Sequence, residues 1–132
     1  MVMEKSLQDK LNDYYHLAQY HMKLAHIMRN HHQFETALFL CHSALISMIR
    51  ALYIYENKVE SDSEISLIDL LLLIHTDYYP GLDIVVFIGE LNYIVSEGDK
   101  GLEVVKVEDG DRLIVKTEEI LGKLSKRMKK HC

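Results

Sequence analysis

From Leu7 to Met28 the apolar residues Leu7, Leu11, Tyr14, Ala18, Met22, Ala25 and Met28 recur at steps of three and four. That period places them in one stripe on a helix of about 25 residues. Asn30, His31, His32 and Gln33 break the pattern, and Phe34, Ala37, Leu38, Cys41, Ala44, Leu45, Met48, Leu52 and Tyr55 resume it up to Asn57. A corner of about four residues obliges the two helices to lie antiparallel. The second helix also carries Leu40, Ile46, Ile49 and Ile54 off its main stripe. A helix apolar on more than one side sits at the centre of its bundle or at an oligomer interface.

Beyond Asn57 the polar run KVESDS ends in the N-cap residues Asp62 and Ser63, and a short Leu-rich helix over Ile65 to Ile74 is expected to follow. Pro80-Gly81 closes a loop that starts at His75. Leu82 to Val95 is dense in β-branched residues, but its length and the spacing of Leu82, Val85, Val86, Gly89, Asn92 and Tyr93 favour a buried helix over a strand. Three glycines interrupt Glu97 to Asp111. EVVKV could pair with Arg112 to Val115 as a hairpin, yet two strands alone are barely stable, so a mobile loop over 97–111 is the preferred expectation. A last helix uses Leu113, Thr117, Ile120, Leu121, Leu124 and Met128. The whole chain reads as one domain, an all-α, antiparallel, up-and-down bundle of four to five helices.

At 132 residues the chain can bury a core without disulfides or metal. Cys41 within a helix and Cys132 at the end make no disulfide framework or metal pair. No basic-then-apolar leader and no run approaching the roughly 20 residues of a membrane span is apparent, so a soluble, cytoplasmic protein without membrane contact is expected. The net charge of -5 is unevenly spread. Glu56 to Asp111 holds fourteen acids against Lys58, Lys100 and Lys106, whereas Arg112 to Cys132 holds seven bases against Glu118 and Glu119. The basic tail complements the negative end of a helix dipole. It contains no aromatic residue to stack on bases, so nucleic-acid binding is not the expected role.

The stretches LAHIMRNHHQFETALFLCHSA, HSALISMIRALY, SLIDLLLLI and ELNYIV, in that order between Tyr14 and Lys126, resemble the HEPN (higher eukaryotes and prokaryotes nucleotide-binding) domain family. Arg50 stands where that family often has a lysine, and Leu91-Asn92-Tyr93 where it often has a Leu-Asn pair. The resemblance implies a helical bundle that forms a homodimer, often beside a minimal nucleotidyltransferase as in toxin-antitoxin pairs. The family's catalytic members are metal-independent ribonucleases. They use an arginine followed four to six residues later by a histidine, near the end of the fourth helix.

Such a pair makes chemical sense, since a cation stabilises charge on the phosphate while an imidazole moves the 2'-hydroxyl proton. Here the corresponding segment is IVSEGDKG, with Glu97 near the place of the arginine and no histidine until His131. None of Arg29, Arg50, Arg112 and Arg127 meets the spacing. No catalytic residue, metal ligand or cofactor is therefore expected, and a non-catalytic module that binds a protein partner or nucleotide is the leading expectation. The alternatives are a toxin-type RNA endonuclease with displaced residues, such as Arg50 joined by a histidine of the dimer mate, and a small-ligand or nucleotide pocket lined by Arg50, Asn92 and Tyr93.

Six of the eight histidines lie between His16 and His42. His16, His21, His26 and His31 recur every five residues, which turns each about 140 degrees from the last, whereas two ligands on one helix face need a spacing of three or four. Glu-x-x-His does not occur, so a carboxylate-bridged metal site in the bundle is not expected. The histidines read instead as surface or interface groups able to make a dimer pH-sensitive. The methionines and Tyr14, Tyr15 and Tyr20 read as packing.

Overall fold

A computed structural model describes residues 5–59, 81–96 and 107–129. They form α1 (Lys5–Asn30), α2 (Phe34–Asn57), α3 (Gly81–Ser96) and α4 (Val107–Lys129), with no strand among the described residues. The Leu-rich segment expected over Ile65 to Ile74 lies outside the described residues, as do Glu97 to Lys106 of the expected loop.

Alanines set the first contact. Ala18 and Ala25 on α1 and Ala37, Ala44 and Ala51 on α2 are fully buried and repeat every seven residues. A seven-residue step nearly closes two helical turns, so each set forms a seam along one line of its helix. Side chains this small leave room for two helices to pack closely. The hairpin is the most extensive interface among the helices.

Helix α2 is the centre, with eleven buried residues. Cys41 meets Thr117 of α4, and Phe34 lies against Gly110. Asn92 of α3 bonds His42 on another flank of α2. The alanine seam occupies the remaining side. These pairings run α4 parallel to α2; Glu90 with Arg112 at 3.3 Å and Phe87 beneath Lys116 run α3 antiparallel to α4, so the four described helices go up, down, up and down. Between α1 and α4 the ties are polar: the Tyr15 hydroxyl and Ser125 hydroxyl at 2.8 Å, His26 with Glu118, and Arg29 Nε donating to Asp111 Oδ1 at 2.6 Å. At the far end Arg127 and Glu56 form an ion pair at 2.5 Å, each side chain only 15% exposed, without the alignment of a linear hydrogen bond.

The corner has a clear cause. His32 adopts φ 60°, and the Gln33 N–H reaches the Met28 carbonyl at 2.8 Å while the His32 N–H reaches Arg29 at 2.9 Å. This is a Schellman closure, in which a left-handed residue turns the chain and satisfies the last carbonyls of α1. Lys58 ends α2 in the simpler αL motif, at φ 59° with its N–H on the Ile54 carbonyl.

Three expectations need correction. Val107 to Asp111, read as the end of a loop or part of a hairpin, belongs to α4. Gly110 is buried beneath Phe34, where an added Cβ would come within 3.1 Å of the ring, and acids early in a helix favour its dipole. Helix α3 exists, but it buries Phe87, Ile88, Leu91 and Ile94, while Val86, Gly89, Asn92 and Tyr93 face out. Helix α2 is, by length and composition, apolar enough to cross a membrane, with 61% of its most apolar window buried by the rest of the bundle.

Replacing Ala44 with Leu should force the two backbones apart and cost about 1–3 kcal/mol, read as a lower urea midpoint. Replacing His32 with Gly should add about 0.5–1 kcal/mol of stability, read as a higher midpoint, because glycine takes the left-handed conformation without the Cβ penalty.

Candidate functional site

Arg50, Asn92 and Tyr93 lie on two helices. Arg50 is half-buried on α2 and already takes part in an interaction of its own. Asn92 and Tyr93 project outward from α3, and Tyr93 is 63% exposed. The partner that the fold provides for Asn92 is His42. His42 precedes Arg50 by eight residues, which puts the two about 12 Å apart along the helix axis and roughly 80 degrees apart around it. The fold thus brings Asn92 to His42 and sets Arg50 a little over two turns further along α2.

His42 is a polar group whose titration the fold alters. Burial lowers its pKa from the usual imidazole value, and a hydrogen bond donated by the imidazole to the Asn92 side chain offsets part of that effect. Its Nε2 is buried without a hydrogen-bond partner. A group whose folded pKa lies below its unfolded value favours the folded state when deprotonated. Its contribution is present above the unfolded imidazole pKa and is lost as pH falls through the folded value.

Cys41, one residue away, is fully buried, and burial raises its thiol pKa to about 11 although the Thr117 hydroxyl bonds it. The single hydroxyl proton of Thr117 goes to the Leu113 carbonyl at 2.7 Å. A thiol held protonated is a poor nucleophile. Cys41 and His42 point toward different neighbours, α4 and α3, so they form no Cys-His dyad.

The five-residue spacing disperses the other histidines. His16 and His31 are exposed, His21 is half-buried with an unpartnered Nδ1, and His26 turns to Glu118. Among the described residues no group of three or more His, Cys, Asp or Glu side chains is placed to hold a metal. Glu97, at the place of the ribonuclease arginine, lies outside the described residues.

The exposed surface carries a feature that the main apolar stripes concealed. Leu17, Tyr20 and Ile27 on α1, Phe39 on α2, Val86 and Tyr93 on α3 and Val115 on α4 are all large, apolar and exposed. On α1 they form a second line with half-buried Leu24, and Gln19, Tyr20, Lys23, Leu24 and Ile27 border a shallow open depression. The steps Leu17, Tyr20, Leu24, Ile27 were available in the sequence as a second stripe at helical spacing. No family model, no curated protein and no solved structure matches the chain.

The His42 environment makes a direct prediction. Stability measured by urea unfolding should fall as pH drops from 7.5 to 5, and His42→Gln, which cannot take up the proton, should flatten part of that slope. Identical slopes for the two proteins would show that His42 titrates alike in both states.

Proposed function

We propose that the chain is a non-catalytic, dimeric protein-interaction module of HEPN type. The observation that carries this reading is the set of exposed apolar side chains, present on every described helix and including Leu17, Tyr20, Phe39 and Tyr93. Scattered surface apolar residues are normal, but large ones aligned along a helix favour burial against another chain. Cys41 supports it from the other side, since this reactive-looking residue is an inert core thiol. The resemblance of the sequence to the HEPN family extends the reading to a partner: a minimal nucleotidyltransferase, bound by a homodimer without a ribonuclease motif.

Native mass spectrometry of the protein purified gently from its own cells tests this reading. The expected species is a homodimer, carrying a second protein of nucleotidyltransferase size. A monomer that retains nucleotide or RNA fragments, and loses them on Arg50→Ala, would contradict it and favour a ligand pocket.

A further inference from the structure

We infer that the outward face of α1 is a homodimer interface in which two copies of the helix pack antiparallel about a two-fold axis beside residue 22. This inference rests on the dimeric reading above and assigns the surface and the register.

The stripe Leu17, Tyr20, Leu24 and Ile27 faces away from the alanine seam; Leu17 is 42% and Tyr20 52% exposed. One step beyond each end lie exposed residues of opposite chemistry, Asp13 and His31. From Asp13 to His31 the steps are four, three, four, three, four, so the line reads the same from either end. A second copy turned end for end therefore sets Leu17 against Ile27, Tyr20 against Leu24, and Asp13 against His31 of its partner. Isologous contacts have this reciprocity.

The end residues determine the occupant. In an antiparallel pair the Asp13 carboxylate accepts a hydrogen bond from the imidazole N–H of the opposite copy, twice over. A parallel pair would instead bring the two Asp13 carboxylates together, which is repulsive. A lipid surface would favour a rim of lysine and arginine, whereas this face has the acids Asp9 and Asp13 near one end beside Lys10, and Lys23 at its middle. From Asp13 to His31 the contact spans about 27 Å of helix. A single helix pair of that length buries less than about 1,200 Å², the range of weak, micromolar association.

Sedimentation equilibrium of the full chain under reducing conditions tests the assignment, with far-UV circular dichroism confirming that each variant stays helical. The wild type should dimerise with a micromolar Kd, and Tyr20→Lys should weaken it by about tenfold or more. His31→Glu, which opposes two carboxylates, should also weaken it, and adding Asp13→Lys in the same chain should restore it. Asp13 and His31 are too far apart within one helix for that rescue to be intramolecular. A dimer indifferent to Tyr20→Lys would overturn this interface while leaving the dimeric reading intact. Weakening by Tyr20→Lys without rescue by the double variant would overturn the antiparallel register, and a monomer at all concentrations would overturn both the interface and the dimeric reading.

Discussion

The close approach of α1 and α2 along their alanines is the constraint on which the remaining structure depends. Ala18, Ala25, Ala37, Ala44 and Ala51 contribute little apolar area of their own, being fully buried but small. Being small, they leave room for the helices to approach, and larger residues are buried beside them: Leu11 and Met22 on α1, Leu45 and Leu52 on α2. Dispersion falls off steeply with separation, so a seam opened by even a fraction of an ångström loses contacts along its whole length.

With one side of α2 given to the seam, its other buried flanks remain for α4 and α3. Cys41, Phe34 and Glu56 receive α4, and His42 receives α3. Helix α4 touches α1 far less than α2, and its ties to α1 are three half-exposed polar contacts. Exposed pairs of that kind contribute little stability but select one alignment among several. The same arrangement turns Leu17, Tyr20, Leu24 and Ile27 outward. The circumference of α1 left outside the seam is largely polar, and this stripe is its apolar part.

Most of the bundle could be read from residue spacing. The stripes of α1 and α2 predicted most of their buried residues and a corner over Asn30 to Gln33, of which Asn30 belongs to α1. Helix α3 was readable as a helix but not as to face: Val86 and Tyr93 are as apolar as Phe87 and Leu91, so periodicity cannot choose between them. The start of α4 was hidden because Gly110 looks like a loop residue until Phe34, distant in sequence, is seen to occupy the space of its missing side chain. The candidate site was less readable still. Arg50, Asn92 and Tyr93 were chosen by resemblance, which says nothing of the angle at which each leaves its helix, and the Asn92–His42 bond depends on the contact of two helices about fifty residues apart in sequence.

Native-state hydrogen exchange resolved to single amides tests the central role of the seam most directly. The backbone amides of Ala18, Ala25, Ala44 and Ala51 should share the highest protection in the molecule and exchange only through global unfolding. If the α1 amides exchange at clearly lower free energy while α2 and α4 stay protected, the hairpin is an attachment to the bundle and not its foundation.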